Sequence, residues 1–464
     1  MMLDLSLAWR NVLRNRRRTL ITLMTVAMGA TALLLLGALM SYIVLEFQTS
    51  AVRRTGHLAV FKKGYFDYGA GNPAAYGIGD YDAVLATIRS APGIQPYLLV
   101  ATPTQIISGV AGNFQAGTSK TFFGQGIVPA DRLRMREWNE HRISGLEVNA
   151  PPLSRANGVA VGSGLGRILQ LCDPRQAAGC APRAAVQRAA APVDAEAADL
   201  IQLRQREVGA APAAAQDRQA IELLSASATG APNVVSAVVE RLDTHGSKDL
   251  DDNLVVMPLP IAQQLAYGRG APRVTALNLQ LKRTEDIPAV RAALRQLIQS
   301  NGLDLEVRDF VELNAMYGQI QAFFSFLFGF IALVIVVIVV FTIMNTMGMS
   351  VMERVGEIGT ARALGVQRSS VRNLFVLEGG LQGVLGATLG VLLTMLLVAL
   401  VNAANLHWSP PTSAGEIPFK LYLFGSLPLM AGVWFALTCV AALASLFPAH
   451  RASRMMIVDA LRHV

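Results

Sequence analysis

The chain has 464 residues, of which 52% are hydrophobic and 16% charged, and its mean hydropathy is +0.40. Soluble globular proteins carry about 25% charged residues, so this composition excludes an ordinary soluble protein and a disordered one. The net charge of +8 does not indicate nucleic-acid binding, because the arginines flank long uncharged segments, and three cysteines are too few for a disulfide scaffold.

Long stretches without charge predict the membrane spans. Four windows combine the absence of Asp, Glu, Lys and Arg with a dense centre of Leu, Val, Ile, Phe, Met and Ala, at residues 19–45, 313–352, 379–415 and 421–450. Each exceeds the ~20 apolar residues that cross ~30 Å of hydrocarbon. Buried core helices, the alternative, rarely exceed about 20 residues. The windows therefore predict four transmembrane helices.

The first window could instead be a cleaved signal peptide, with the arginines before residue 19 as its charged region. Its apolar stretch is longer than the ~7–15 residues of such a peptide, and no A-x-A cleavage site follows it. We therefore interpret it as an uncleaved span.

The segment between the first two spans alternates strand-like and helix-like patterns, which predicts an α+β domain over residues 47–318. Predicted strands lie at 56–61, 104–109, 121–127, 158–161, 234–241, 254–257 and 274–281, and predicted helices at 80–90, 260–267 and 287–299. The glycine cluster at 162–166 is not a G-x-G-x-x-G motif and predicts a strand-to-helix turn.

Residues 172–219 depart from this alternation, since they are rich in Ala, Gln, Arg and Pro. The segment could be an exposed helical excursion or a mobile loop, and it is read as an insertion between two strands. Cys172 and Cys180 lie at its base; in an oxidising compartment they could form a disulfide, and the alternative is two free thiols.

The second window is longer than a membrane requires. Its polar start, 313–322, is interpreted as a stalk that carries the helix towards the membrane, and a short loop before a tilted span is the alternative. In the third window, four glycines form two small-xxx-small pairs that predict close helix packing: Gly379, Gly383, Gly386 and Gly390. No window has an ionisable residue at its centre, which argues against an ion-coupled transporter.

Basic residues set the orientation. Arginines precede span 1, lie between spans 2 and 3, and follow span 4, whereas Lys420 is the only basic residue between spans 3 and 4. The positive-inside rule then places both termini and the loop 352–377 in the cytoplasm, with residues 47–318 outside.

The loop 352–377 contains a short amphipathic pattern, in which Val355, Ile358, Ala361 and Leu364 fall near one face and Gly365 could end the helix. Such a helix can dock into a groove of a partner or lie on the membrane surface. Glu357 and Arg362 could pair with each other or with charges on a partner.

No catalytic or metal-binding motif is present in the sequence. There is no G-x-x-x-x-G-K-[ST] phosphate loop, no H-E-x-x-H, no G-x-S-x-G and no Cys/His cluster. We therefore expect no enzyme activity, no metal and no cofactor in this chain.

Three segments resemble the FtsX-like ABC transporter permease family, of the MacB and lipoprotein-releasing (LolC/LolE) type. They are LAWRNVLRNRRRTLITL (Leu7–Leu23), ERVGEIGTARALG (Glu353–Gly365), which is similar to the coupling helix of the family, and PAHRASRMMIVDALR (Pro448–Arg462). The external segments GHLAVFKKGYF, GVAVGSGLGRILQL and NLVVMPLPIAQQLAYG also resemble the family's periplasmic domain. One departure is Ile457, where the closing motif commonly has proline.

The resemblance implies a bacterial inner-membrane permease that pairs with a second copy or a related permease and with a cytoplasmic ATPase dimer, which would bind ATP and Mg²⁺. Contact with that ATPase is expected at Glu353, Arg354, Glu357, Ile358, Arg362, Leu364 and Gly365. Motion of this coupling helix would pass through the stalk to the periplasmic domain, so that no polar pore is needed.

The resulting domain plan is a four-span α-helical transmembrane domain with a large α+β periplasmic domain inserted between spans 1 and 2. It comprises a cytoplasmic amphipathic N-terminal segment (1–19), span 1 (20–46), the periplasmic domain (47–318), span 2 with its stalk (319–350), the coupling-helix loop (351–375), span 3 (376–404), a short periplasmic loop (405–420), span 4 (421–448) and a cytoplasmic tail (449–464).

Three functions fit this plan. The leading hypothesis is extraction of lipoprotein or lipid from the inner membrane towards a periplasmic lipoprotein carrier. The alternatives are export of peptides, antibiotics or toxins from the periplasm, and regulation of a periplasmic enzyme such as a cell-wall hydrolase without transport. A membrane enzyme is the least favoured hypothesis.

Overall fold

The computed structural model describes residues 2–14, 16–69, 71–114, 116–143, 152–171, 219–245, 247–408, 417–423 and 426–455. The possible Cys172–Cys180 disulfide lies outside the described residues, as does nearly all of the segment 172–219. The chain divides into two compact units, a helical one (Met1–Phe47, Met316–His407 and Pro418–Val464) and an α+β one (Gln48–Ala315 and Trp408–Ile417).

The helical unit contains the long apolar helices that the charge-free windows predict. Helices α2 (Arg16–Thr55), α10 (Ala315–Glu353), α12 (Arg368–Ala403) and α13 (Leu427–Ser453) are long and apolar enough to cross a membrane, which confirms the prediction of four candidate spans. Helix α1 (Met2–Arg14) precedes them, and α11 (Val355–Ala363) connects α10 to α12. Helix α10 is continuous from Ala315, so the polar start of the second window is itself helical.

The four glycines of α12 lie where neighbouring helices approach most closely. A Cβ at Gly383 would stand 2.7 Å from Ala441 Cβ on α13, and one at Gly390 would stand 2.5 Å from Ala30 Cβ on α2. Gly379 faces α13 and Gly386 faces α2 in the same way. The two pairs therefore serve different partners, because the amino-terminal pair packs on α13 and the later pair on α2.

Nine strands form the sheet of the α+β unit: β1 (Leu58–Lys62), β2 (Leu98–Asn113), β3 (Thr118–Ile127), β4 (Gly158–Gly162), β5 (Ala220–Ala226), β6 (Pro232–Asp243), β7 (Leu254–Pro258), β8 (Ala276–Leu281) and β9 (Leu305–Asp309). Their order is β3-β7-β4-β6-β5-β2-β8-β1-β9, and β2 also pairs with β3. The first six strands of that order therefore close into a ring. Two short strands, β10 (His407–Trp408) and β11 (Ile417–Pro418), pair with each other.

Strand β2 belongs to both halves of this sheet, since Leu98–Thr104 pairs with β8 and Gln105–Asn113 pairs with β3. Each half has its own apolar core, one inside the ring and one between β1, β8 and β9 and the helices that cover them. The helices are α3 (Tyr81–Ser90), α4 (Pro129–Glu137), α5 (Ser163–Ile168), α6 (Lys248–Asn253), α7 (Leu259–Tyr267), α8 (Ile287–Ser300) and α9 (Phe310–Leu313).

The predicted pattern of the α+β unit is largely confirmed. All seven predicted strands and all three predicted helices occur, with ends shifted by a few residues or, for β2, extended. The glycine cluster at 162–166 is the turn from β4 into α5, as expected. Strands β5 and β9 and helices α4, α6 and α9 were not predicted. In chain order the segment 172–219 lies between strands β4 and β5, with α5 on its amino-terminal side.

Candidate functional site

Helix α11 is a separate short helix because the backbone breaks at both of its ends. Arg354 departs from helical geometry after α10 (φ −108°, ψ 14°). At the other end Gly365 has φ +95°, Gly365 N donates to Arg362 O (3.1 Å) and Val366 N donates to Ala361 O (3.1 Å). This is the Schellman arrangement, in which a left-handed residue after the helix favours glycine, so the prediction that Gly365 ends the helix is confirmed.

One face of α11 is buried against the helical unit. Val355 and Ile358 are buried, and Ile358 belongs to an apolar cluster with Val371 and Phe375 of α12 and Ala449 of α13. Ile358 thus faces the helical unit, and its contact with an ATPase stays a prediction. Leu364 does not share this face, because its side chain is 83% exposed just beyond the helix end.

Arg354 is also directed inward. Its Nη1 lies 3.3 Å from Glu378 Oε2 on α12, with side chains only 6% and 4% exposed, and its Nη2 donates to Asn11 O of α1 at 3.5 Å. In this conformation the Arg354 guanidinium is bonded within the helical unit, and its expected contact with an ATPase stays a prediction. The sequence reasoning missed Glu378; a carboxylate at the edge of an otherwise uncharged span was the signal that could have revealed it.

Two exposed carboxylates connect this segment to the amino-terminal helices. Glu357 Oε1 accepts from Arg14 Nη2 at 2.6 Å, and Glu353 pairs with Arg18 of α2. The Glu357 carboxylate raises the pKa of the Arg14 guanidinium above its ordinary value. Arg362 Nη1 donates to Ser453 O of α13 at 2.6 Å. Glu357 and Arg362 thus each have another partner, and their expected mutual pairing is corrected.

These contacts make residues 353–366 a junction, which we call the coupling segment. It is bonded to α1, α2, α12 and α13 through side chains of Arg14, Arg18, Glu378 and Arg362. A displacement of α11 would therefore act on every neighbouring helix at once. Its tip, Leu364 to Val366, is exposed, as are the carboxylates of Glu353 and Glu357, and contact of these residues with an ATPase stays a prediction.

A cavity of about 350 Å³ lies between α2 and α10 in the helical unit. Its lining is apolar or weakly polar: Gly37, Met40, Ser41, Val44, Gln321, Phe324, Ser325, Phe328 and Leu429. Its size falls in the lower range of small-molecule pockets. A cavity without charged groups suits an apolar chain rather than an ionic solute.

The extended segment 417–423 is hydrogen-bonded to α2 and α12. Asn402 of α12 makes two hydrogen bonds with the Leu421 backbone, at 3.0 and 2.9 Å, and Tyr422 N donates to Ala38 O at 3.1 Å. The hydroxyl of Tyr42 donates to Pro418 O at 3.2 Å. These bonds hold α2 to the segment on a side formed by Ala38 and Tyr42, residues that do not line the cavity.

The carboxyl end of α2 is fixed within the α+β unit. Arg132 Nη1 donates to the carbonyls of Arg53 (3.1 Å) and Arg54 (2.7 Å), which satisfies acceptors that a helix end leaves free. His57 is fully buried, its Nδ1 accepts from Leu281 N at 2.9 Å, and its ring meets Trp138 edge to face. Burial lowers the pKa of His57 to about 4, although Glu140 opposes this shift.

Among the residues that the structure describes, no group of three His, Cys, Asp or Glu side chains is arranged to hold a metal ion.

Comparison with known proteins identifies the helical unit. Residues 329–457 match the family described as FtsX-like permease C-terminal. The macrolide export ATP-binding/permease protein MacB of Bdellovibrio bacteriovorus is 27% identical over 237 residues, which are 49% of this chain and 34% of that protein. The lipoprotein-releasing system transmembrane protein LolC of Neisseria meningitidis is 25% identical over 241 residues, 50% of this chain and 56% of that protein.

Among solved structures, the periplasmic region of MacB from Actinobacillus actinomycetemcomitans covers 57% of this chain and 94% of its own, with 11% identity and a TM-score of 0.28. The chain spans about a third of the MacB relative and just over half of LolC. The segments quoted above, the four apolar helices and the match over 329–457 agree: this chain carries an FtsX-like permease domain and is similar to ABC transporter permeases of the MacB and LolC type.

Proposed function

We propose that this chain is the permease subunit of a transporter in which a separate cytoplasmic ATPase drives motion of the α+β domain, and that the complex extracts lipoprotein or lipid from the inner membrane. The cavity between α2 and α10 is the observation that carries the substrate class. An acyl chain held between the first two spans could leave the membrane sideways, and no polar pore would be required.

The coupling segment supports the mechanical part of this proposal. ATP and Mg²⁺ would be bound by the partner, and the tip around Leu364 and Gly365 would contact it. Arg354 pairs with Glu378 of α12, and Arg362 bonds to Ser453 of α13. A displacement of the tip by the ATPase would therefore be transmitted directly to α12 and α13. Arg14 and Arg18 would carry the same displacement to α1 and α2.

Two permeases and two ATPases would form the working complex, with a periplasmic carrier as acceptor. The chain itself would perform no chemistry. Both termini and the coupling segment would lie in the cytoplasm, as the arginine distribution favours.

Export from the periplasm is the second candidate, because MacB relatives carry macrolide export in their names. The two candidates differ in what enters the cavity. Extraction places an acylated protein or a lipid there, whereas export of a soluble peptide or drug would leave the cavity to ordinary membrane lipid.

Site-specific photocrosslinking separates these outcomes. A photoreactive phenylalanine analogue replaces Ser325 in the cavity or, as matched control, Thr342, which lies on the same helix but does not line the cavity. After irradiation of cells, the full chain is purified in mild detergent and its adducts and co-purifying proteins are identified by mass spectrometry.

Lipoprotein adducts at position 325 but not at 342, together with an ATPase, support extraction. Adducts of a soluble peptide, or a co-purifying outer-membrane channel or hydrolase without lipoprotein adducts, contradict extraction and favour export or regulation. Identical adducts at both positions would show that the cavity has no selectivity.

A further inference from the structure

Helix α1 has one face packed on the helical unit and one face exposed. Ala8 and Val12 are buried where α1 packs against α12. Leu7 and Trp9 are 43% and 45% exposed, and Arg10 is exposed beside them. An exposed indole and leucine next to an arginine is the composition of a helix that lies in a membrane interface.

The five arginines of residues 2–18 fall into two groups. Arg14 and Arg18 are neutralised by Glu357 and Glu353 of the coupling segment. Arg10, Arg16 and Arg17 are exposed, and within the described part of the chain none of them has an acidic partner. The same stretch has a single acidic residue, Asp4. A concentrated positive charge therefore remains at the joint between α1 and α2.

We propose that Arg10, Arg16 and Arg17, with Trp9 and Leu7, form a binding site for the phosphate headgroups of anionic phospholipids. Guanidinium groups bind phosphate oxygens through paired N–H donors, and the indole and leucine would rest on the glycerol and upper acyl region. Lipid headgroups are favoured over an acidic protein surface because two large apolar side chains, Leu7 and Trp9, are exposed within a few residues of the arginines. The site also adjoins the start of α2, a helix of membrane-spanning length.

This assignment does not depend on the transported substrate. Neighbouring arginines would have different roles. Arg14 and Arg18 are paired with carboxylates of the coupling segment, whereas Arg10, Arg16 and Arg17 would bind lipid. Anionic lipid would then hold α1 in the interface without competing with Glu357 and Glu353 for Arg14 and Arg18.

Lipid retention tests the site directly. The full chain is reconstituted in nanodiscs of phosphatidylcholine with one quarter phosphatidylglycerol, extracted in mild detergent, and its bound lipids are counted by native mass spectrometry. The triple variant R10Q/R16Q/R17Q is compared with R269Q/R273Q/R295Q, which removes three exposed arginines of the α+β unit. We expect the first variant to lower the enrichment of phosphatidylglycerol over phosphatidylcholine by at least about fivefold, and the second to leave it unchanged.

A second measurement needs no charge change. Lipids brominated in their acyl chains quench nearby tryptophans, and the contribution of Trp9 is the difference between the native chain and Trp9→Phe. We expect brominated phosphatidylglycerol to quench Trp9 more strongly than brominated phosphatidylcholine at equal mole fraction. Equal quenching by both lipids, equal loss of enrichment in both triple variants, or loss of a co-purifying ATPase in R10Q/R16Q/R17Q with lipid retention intact would each overturn the proposal.

Discussion

The two ends of helix α2 are held by opposite kinds of interaction. Near its amino end, in the helical unit, the contacts are exposed ion pairs of Arg14 and Arg18 with the coupling segment. At its carboxyl end, in the α+β unit, Arg132 binds two backbone carbonyls, and the neutral ring of His57 lies buried just beyond the helix.

This difference indicates at which end of α2 the contacts can rearrange at low energetic cost. An exposed ion pair contributes about 0–1 kcal/mol and weakens with salt, so its rearrangement costs little. A buried acceptor that loses its donor costs about 1–3 kcal/mol, so the carboxyl end resists rearrangement. The ion pairs near the amino end of α2 therefore cost less to rearrange than the hydrogen bonds at its carboxyl end.

The pair of Arg354 and Glu378 is an exception, because it is a charged contact of the coupling segment that is buried. Its loss should therefore have the largest effect on stability. Removing one partner leaves an uncompensated buried charge, so Arg354→Met or Glu378→Leu should lower the free energy of unfolding by about 3–5 kcal/mol. The double variant R354M/E378L should recover most of that loss.

Chemical denaturation of the full chain in mixed detergent micelles, carried out for all four members of this cycle, measures the effect. Single variants as stable as the native chain would show that the pair is not buried in the membrane-bound protein. A double variant no better than the singles would point to the bond from Arg354 to Asn11 as the important one.

The pH dependence of stability tests the carboxyl end of α2. The pKa of His57 is lowered to about 4 in the folded chain from an ordinary 6.5, so the unfolded chain binds this proton first as pH falls. The contribution of neutral His57 is complete above pH 6.5 and is lost between there and about pH 4, which amounts to roughly 3 kcal/mol.

Unfolding temperatures of the native chain and His57→Gln, measured at pH 7.5, 5.5 and 4.5, isolate this term from the other titrating groups. The native chain should lose stability more steeply than the variant over that range. Parallel curves for the two proteins would contradict the burial of His57.

The sequence predicted the positions of the helices and helix ends better than the direction in which individual side chains point. The spans followed from missing charge, and Gly365 followed from the need for a left-handed residue at a helix end. The inward direction of Arg354 and Ile358 was missed because the phase of a nine-residue helix is set by contacts with α12 and α13, which local periodicity does not encode.

The carboxylate and the strands that were missed have similar explanations. Glu378 was overlooked because a search for uncharged windows stops at the charge that bounds them. Strand β9 was missed because three of its five residues are charged, and β5 because it directly follows the Ala-rich segment. Strand β9 pairs with β1 and β5 pairs with β2, both distant in sequence, and β5 also pairs with β6, the next strand along the chain.

Matched substitutions at the two ends of α2 test the comparison itself and have the smallest expected effects. Arg132→Gln and Arg18→Gln each remove one positive charge and introduce the same side chain. The first leaves two carbonyls of the helix end without their charged donor and should lower the free energy of unfolding by about 2–3 kcal/mol at any ionic strength. The second should cost less than about 1 kcal/mol at low salt, and high salt should remove that cost, because its partner Glu353 is half exposed. Denaturation of both variants at about 0.05 and 0.5 M salt gives the four free energies of unfolding. If both variants lose the same stability and both losses shrink at high salt, the two ends of α2 are held by the same kind of interaction. The contacts near the amino end would then be no easier to rearrange than those at the carboxyl end.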